Sequence, residues 1–233
     1  MHSELKRKPK VLAGRHGDFD TWREQYAIQI KNIETIQAKL CIHSTDIVLL
    51  WAGGYGDVSE NDEEKLGFIK FAKAFLPFKH EYKLRITIHP GLKNYPAKKL
   101  NQILENYYIK PLLMLGFSAK EAQKSVTRLD TFSVACVAHS VISVGSTVAP
   151  QAVSIGVRAK SVFVIDDIPR IIGIKTIRTT EEWREIFNRW LSKERRIINS
   201  DHYDKAMNKL SIPKESTFAI LEHLLKSCII TPV

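Results

Sequence analysis

Ile47-Val-Leu-Leu-Trp-Ala-Gly-Gly-Tyr-Gly-Asp57 is the stretch of the sequence that decides the fold. Its first five residues form a continuous apolar, β-prone run, which predicts a strand buried on both faces. The glycines that follow, Gly53, Gly54 and Gly56, predict a sharp turn out of that strand. A helical pattern comes next and ends at Pro77, because proline cannot continue a helix. Strand, turn and helix in this order are the first half of a β–α–β unit.

Downstream of this stretch, strands continue to alternate with helices. Further strands are predicted at Leu84–Ile88, Val141–Val144, Ser161–Ile165 and Ile172–Ile177, and helices at Phe132–Ala138, Val148–Ile155 and Glu181–Leu191, with one more helix from Pro96 that Pro111 interrupts. Strands separated by such helices pair in parallel, with helices on both faces of the sheet. The sequence therefore predicts an α/β fold: a Rossmann-like three-layer α/β/α domain with a mostly parallel sheet.

The two ends of the chain carry helical patterns outside this unit. Apolar residues from Trp22 to about Leu40 recur at three- and four-residue spacing, which predicts a helix capped by Asp20 or Thr21. Ser216–Ile229 predicts a final amphipathic helix. The expected organisation is a linker-like N-terminal segment with its helix (1–45), a Rossmann-like domain (46–195) and a C-terminal helical extension (196–233).

The composition is that of an ordinary globular protein. The chain has 233 residues, of which 44% are hydrophobic and 26% charged, which excludes wholesale disorder, a collagen-like repeat and a coiled-coil rod. Cys41, Cys136 and Cys228 lack metal-ligand spacing and are odd in number, so we expect neither a disulfide scaffold nor a zinc module. No stretch has signal-peptide or membrane-spanning character, so the sequence predicts a soluble, cytoplasmic protein.

The basic excess points to anionic partners without selecting one. Lys and Arg number 35 against 25 Asp and Glu, a formal charge of +10, and the basic residues are spread along the chain. Such an excess attracts polyanions, phosphorylated ligands or anionic lipid. The RNP, helix-turn-helix and C2H2 signatures are absent, which disfavours a nucleic-acid partner. Peripheral contact with a membrane stays open as an alternative.

Three distinctive segments fall at the carboxyl ends of predicted strands, where parallel sheets bind ligands. The first is the Gly53–Gly56 turn, whose pattern is neither GxGxxG nor a P-loop, so a conventional NAD or ATP site is not supported. Its glycines would let the backbone approach a ligand closely; the alternative is a tight strand-to-helix turn.

The second segment is His89-Pro90-Gly91, directly after the strand Leu84–Ile88. An imidazole at this position would stand at the mouth of the cleft as a candidate catalytic base, and the alternative is a histidine that caps a turn. His16, in the turn-rich N-terminal stretch, is the other histidine with a suitable location.

The third segment is Gly145-Ser146-Thr147, where a strand runs directly into a small-residue helix. Backbone N–H groups, two hydroxyls and the positive end of the helix dipole would converge there, which suits a phosphate or diphosphate without a metal. The alternative is ordinary capping of the helix. Asp166 and Asp167 are adjacent rather than spaced, and this pair indicates a strand-end turn.

Together these segments resemble the C-terminal, nucleotide-sugar-binding half of GT-B fold glycosyltransferases and of the related UDP-N-acetylglucosamine 2-epimerases. The segment that carries the resemblance is Ala135-Cys-Val-Ala-His-Ser-Val-Ile-Ser-Val-Gly-Ser-Thr-Val-Ala-Pro-Gln-Ala-Val-Ser-Ile-Gly156, which is similar to the family's "GST-xxx-EA-xx-G" element over its whole length. The Gly-rich loop and His-Pro support it, and the likeness covers about residues 46–170.

The resemblance implies a role for each segment. Gly145, Ser146 and Thr147 would bind the diphosphate of a nucleotide-sugar. Gln151 stands where the family commonly has a glutamate that binds the ribose hydroxyls, and an amide can bond a hydroxyl without supplying a charge. The nucleotide base would pack near Ser125–Leu129. The Gly53–Gly56 loop would face the phosphates or the sugar, with His89 at the edge of the cleft.

The resemblance thus implies a donor-binding half of a GT-B-like glycosyltransferase that transfers a sugar from an NDP-sugar, UDP-linked by expectation, without metal. A complete enzyme of this kind has two Rossmann-like domains, so a second subunit or a missing N-terminal domain would supply the acceptor site. Two alternatives remain: an NDP-sugar epimerase-like fragment, and a non-catalytic protein-interaction module on the same half-fold. Exposure of Trp183 and Trp190 would favour the interaction module, and burial of both would count against it.

Overall fold

Four parallel strands form the centre of the molecule. The computed structural model describes residues 17–54, 63–144, 146–162 and 174–191. The strands are β1 (Ile47–Ala52), β2 (Tyr82–Thr87), β3 (Ser140–Ser143) and β4 (Arg158–Ser161), in the spatial order β2-β1-β3-β4. Every pair is parallel, with Leu49 aligned to Leu84 and to Ser140. The predicted α/β class and parallel sheet are confirmed.

Helices cover both faces of this sheet. In chain order they are α1 (Gly17–Gln29), α2 (Ile33–Leu40), α3 (Glu63–Phe75), α4 (Ala97–Leu104), α5 (Lys110–Met114), α6 (Ala119–Ser125), α7 (Thr131–Val137), α8 (Val148–Ser154) and α9 (Thr180–Leu191). Residues from α3 and α9 pack on one face, and residues from α2, α7 and α8 on the other. The three layers follow from strands that are apolar on both sides.

Each face has its own apolar core. On the α3 side, the buried Trp51 of β1 contacts Phe68 and Phe71 of α3 with ring centroids 5.0 and 4.9 Å apart. On the other side, Val48 and Leu50 pack with small and branched residues of α2, α7 and α8. Alternate residues of β1 thus anchor both helical layers, which is why this strand lies inside the sheet.

The N-terminal helical region differs from its prediction. The helix begins at Gly17, so Asp20 and Thr21 lie inside it and do not cap it. A 3-10 turn at Ile30–Asn32 separates α1 from α2, so the single predicted helix is two. Short 3-10 turns commonly connect consecutive helices.

The region between β2 and β3 also departs from the pattern. The helix from Pro96 does not break at Pro111; instead a π-helical turn, Glu105–Ile109, joins α4 to α5 just before it. Pro111 has no N–H to donate, and the wider turn precedes it. The same region contains α6, which begins with a capping box between Ser118 and Glu121.

The last strand lies earlier in the chain than predicted. β4 covers Arg158–Ser161, whose burial alternates as expected for a strand with only one face fully covered, whereas the prediction began at Ser161. Residues 163–173 lie outside the described residues, and with them Asp166 and Asp167. Of the strand predicted at 172–177, the described part shows one parallel bridge, between Ser161 and Thr176. The helix predicted at Ser216–Ile229 also lies outside the described residues.

Candidate functional site

The carboxyl ends of the strands meet at one edge of the sheet. Gly53, after β1, donates its N–H to the Thr87 carbonyl oxygen at the end of β2, at 3.0 Å. Gly54 lies against Val144, the residue after β3. The exits of three neighbouring strands are thereby held together, and we refer to this region, with His89 and the start of α8, as the carboxyl-edge site.

Ser146 and Thr147 stand at the mouth of the carboxyl-edge site. Ser146 is half-buried and its Oγ accepts the N–H of Val148 at 3.3 Å, while Thr147 is exposed and precedes the first residue of α8. Pro150 has no N–H, so the remaining first-turn donors of α8 are the N–H groups of Thr147 and Ala149. Ala149 is fully buried, so Thr147 carries the accessible N–H of this turn, and Ser146 caps it.

Gln151 is one turn into α8 and its side chain is largely withdrawn from solvent. It is 5% exposed, and its backbone N–H donates to the Thr147 carbonyl oxygen at 3.0 Å. Gly56 and Gly145 lie outside the described residues, as does His16. Of the predicted binding residues, the structure therefore brings Gly53, Gly54, Ser146 and Thr147 to the carboxyl edge, with Gln151 behind them.

His89 closes a turn at the end of β2. Its Nδ1 accepts the N–H of Gly91 at 3.1 Å, and Pro90–Asn94 forms a 3-10 turn after it. Burial lowers the pKa of this imidazole below its usual value, so the ring is neutral at pH 7. A neutral ring whose Nδ1 accepts carries its proton on Nε2, so His89 is suited to donate a hydrogen bond there.

The segment expected near the nucleotide base runs beside the end of β2. Thr127 donates its N–H to the Ile86 carbonyl oxygen at 3.0 Å, and Val126 forms a parallel bridge with Ile86. Thr87 and Thr131 join their hydroxyls across 3.0 Å at the same end of the sheet. Ser125–Leu129 therefore extends the carboxyl edge beyond β2.

Sequence reasoning missed a buried carboxylate at this edge. Glu64, in the first turn of α3, is 4% exposed, and its Oε1 accepts the Gly54 N–H at 3.0 Å and the Tyr108 hydroxyl at 2.5 Å. Burial, and then the negative charge of Glu64, raise the pKa of Tyr108 well above its usual value, so the phenol stays a donor. The only sequence signal was an acidic residue at a helix N-terminus.

This carboxylate explains the two glycines more directly than a ligand does. A Cβ on Gly53 would come within 2.2 Å of the Tyr108 hydroxyl oxygen, and one on Gly54 within 3.1 Å of Glu64 Oε2. Both glycines are buried. They are needed where the backbone approaches the Glu64–Tyr108 pair, and the pair in turn holds the start of the loop that leads to α3.

No helix in the described part of the chain is long and apolar enough to cross a membrane.

The two tryptophans of α9 differ in burial. Trp183 is 1% exposed and packs on Phe71. Trp190 is half-buried, and its ring centroid lies 5.9 Å from that of Phe187. Trp183 is therefore buried but Trp190 is only partly so, and the condition that would count against the interaction module, burial of both, is not met.

No protein-family model matches the chain, and a search of curated proteins finds no match. Among solved structures, the chain is similar to a UDP-GlcNAc 2-epimerase from Methanocaldococcus jannaschii, with 15% identity and a TM-score of 0.48, over 83% of this chain and 53% of that one. It is also similar to a chain named as a UDP-N-acetylglucosamine 2-epimerase from Listeria monocytogenes, with 11% identity and a TM-score of 0.40, over 75% and 40%. The chain thus spans about half or less of these structures.

Proposed function

We propose that the chain binds the diphosphate of a nucleotide-sugar at the carboxyl-edge site and serves metal-free glycosyl transfer. The expected donor is a UDP-sugar. The observation that carries the proposal is the position of Ser146 and Thr147: they follow β3 at the edge where three strand exits meet, and Thr147 is exposed. Ligands of parallel sheets bind at this edge, where first-turn N–H groups attract anions.

In this proposal the protein stabilises the leaving group. As the bond to the sugar breaks, negative charge grows on the diphosphate, and the donors at the start of α8 face it. His89 supports the same step as a donor from Nε2, because its Nδ1 is bonded to Gly91. The proposal also requires a second subunit or domain, which would bind the acceptor and supply the base for its hydroxyl.

The test is isothermal titration of the full chain with UDP. Thr147→Asp puts a negative charge at the mouth of the site and should weaken UDP binding at least tenfold, since like charges repel at close range. Asn101→Asp adds the same charge at an exposed position of α4 and should leave the affinity unchanged. Circular dichroism confirms that each variant is folded. Absence of UDP binding to the folded wild-type chain at millimolar concentration, or equal affinities of the two variants, would overturn the proposal.

A further inference from the structure

Lys160 is a half-buried cation on β4. Its register partner on β3 is Ile142, which belongs to the apolar core on the α3 side of the sheet. Side chains of aligned residues in neighbouring strands point to the same face, so Lys160 projects from the face that carries α3 and α9. The turn with Ser146 and Thr147 leads into α8, which packs on the opposite face.

Two further cations come to this place from other elements. Ser161 forms a parallel bridge with Thr176, and its N–H donates to the Lys175 carbonyl oxygen at 3.2 Å. In this register Lys175 lies beside Lys160, and its side chain is exposed. Arg189, exposed on α9, adds a third positive charge that acts on Lys160. We call Lys160, Lys175 and Arg189 the β4 cation cluster.

The charges of the two lysines have no counter-charge in the described part of the chain. Burial, and then the positive charges of Lys175 and Arg189, lower the pKa of Lys160 below its usual value. Neither lysine side chain forms an ion pair or a hydrogen bond there. Lysine is rarely withdrawn from water unless it is paired, so a half-buried ammonium among like charges points to an anion supplied from outside.

The ammonium groups of both lysines are accessible to such an anion. Lys175 is exposed. The side-chain nitrogens and oxygens that are fully buried without a partner, within the described residues, belong to Trp51, Tyr82, Arg85 and Ser143. Lys160 Nζ is not among them, so it reaches solvent although its stem is half-buried. Arg189 already donates its Nε to the Glu185 carbonyl oxygen, and its contribution to the site is its charge.

The surroundings favour a small free anion over a lipid surface. The exposed large apolar side chains of the described residues lie on α1, on the 3-10 turn after it, on α3 and on α5, and none lies on β4 or α9. Binding to a membrane surface combines cations with inserted apolar side chains, and the elements that carry the β4 cation cluster offer only the cations.

We propose that the β4 cation cluster binds a phosphate-class dianion, held by the ammonium groups of Lys160 and Lys175 beside the positive charge of Arg189. Ammonium groups bind phosphate oxygens through short, charge-assisted hydrogen bonds. The bound anion would link α9 to the sheet. This site lies on the other face of the sheet from α8 and does not rest on the proposed function.

The test is isothermal titration of the full chain with inorganic phosphate, at constant ionic strength with chloride as the background anion. Lys160→Met keeps an unbranched stem and removes the charge, so it should weaken phosphate binding at least tenfold. Lys175→Met should weaken it several-fold. Lys120→Met makes the same change at an exposed position of α6 and should bind phosphate as wild type does. Circular dichroism confirms that each variant is folded.

Two crossed titrations separate this site from the carboxyl-edge site. Thr147→Asp should keep the phosphate affinity of the wild type, and Lys160→Met should keep its UDP affinity. If Thr147→Asp abolishes phosphate binding, or Lys160→Met abolishes UDP binding, the cations belong to the carboxyl-edge site and the proposal of a separate site is overturned.

Thermal unfolding supplies a measurement that a merely structural lysine would not affect. In chloride, Lys160→Met should unfold at a higher temperature than wild type, because it removes a half-buried charge that its neighbours repel. Saturating phosphate should stabilise wild type and hardly change the variant, so the difference should shrink. The proposal is also overturned if folded wild type binds no phosphate at millimolar concentration, if Lys160→Met and Lys120→Met bind it equally, or if phosphate raises the unfolding temperatures of wild type and Lys160→Met equally.

Discussion

Gly53 shows at the scale of one residue how closely the exit of β1 is packed. Because an added Cβ would lie 2.2 Å from the Tyr108 hydroxyl oxygen, Gly53→Ala should lower the free energy of unfolding by about 1–3 kcal/mol in urea denaturation. Combining it with Tyr108→Phe, which removes the closest atom, should recover part of this cost. Strict additivity of the two substitutions would contradict the expectation.

The Glu64–Tyr108 hydrogen bond should also contribute to the stability of the folded chain. Tyr108→Phe takes one donor from a buried carboxylate and should cost about 1–3 kcal/mol of unfolding free energy. In a Glu64→Gln background the same substitution should cost less, because leaving a neutral amide without the phenol's hydrogen bond is less costly than leaving a buried carboxylate without it. Tyr95→Phe, on a half-buried ring, serves as the control and should change stability little. Equal costs of Tyr108→Phe in the two backgrounds would show that the pair is not coupled.

The pairing of these two residues was beyond sequence reasoning for a physical reason. Glu64 and Tyr108 are 44 positions apart, and their contact depends on a π-helical turn and on the approach of α4–α5 to α3. The start of α8, by contrast, could be predicted because strand, hydroxyl turn and helix are contiguous in the chain. Local signals thus locate the mouth of the carboxyl-edge site, while the buried groups behind it come from tertiary packing.

At the scale of elements, α9 illustrates how a helix start controls stability. Thr179 Oγ1 accepts the Glu182 N–H at 3.1 Å, and Glu182 Oε2 accepts the Thr179 N–H at 2.9 Å. Thr179→Ala should therefore lower the free energy of unfolding by about 1 kcal/mol. Gln123→Ala, at an exposed position inside α6, should change it far less. A smaller loss for Thr179→Ala than for Gln123→Ala would contradict this view of the cap.

The reciprocal hydrogen bonds between Thr179 and Glu182 also make the stability of the protein depend on pH. Backbone hydrogen bonds from Arg178 and then Thr179 lower the pKa of Glu182 below the usual glutamate value of 4.5. A carboxylate with a lowered pKa contributes stability that is fully present above 4.5 and is lost as the pH falls through the folded-state pKa. Wild type should thus lose its advantage over Glu182→Gln on acidification below that value. A difference between the two that stays constant from pH 7 to pH 3 would be the contrary result.

Elements with a strong local signal were predicted well, and those set by packing were not. The apolar runs of β1 and β3 and the amphipathic face of α9 fall within two residues of their predicted bounds. β4 was placed too late because Arg158 and Lys160 make it look polar, although its alternate residues are buried. The turn between α1 and α2 has no glycine or proline, so nothing in the sequence marked it.

At the scale of the whole molecule, one aromatic cluster holds α9 against α3 and the sheet. Phe187 is fully buried and its ring lies 5.8 Å from Phe71 and 5.7 Å from Phe75 on α3. Phe187→Ala should lower the free energy of unfolding by about 3–5 kcal/mol, while far-UV and fluorescence transitions stay coincident. Asn188→Ala, exposed on the same helix, is the control. Separate transitions in the wild-type chain would mean that α9 unfolds on its own.

The order β2-β1-β3-β4 has a consequence for synthesis on the ribosome. β1 can pair with β2 once one helix has been synthesised. Its other edge can pair only when the β3 region has been made, since His139, which bonds Val48, lies 91 positions further along the chain. At about 5–20 residues per second, the nascent chain keeps that apolar flank open for roughly 5–20 s. A flank of this kind is a template for intermolecular pairing, so the yield of native protein should depend on translation speed and on chaperones that shield newly made chains.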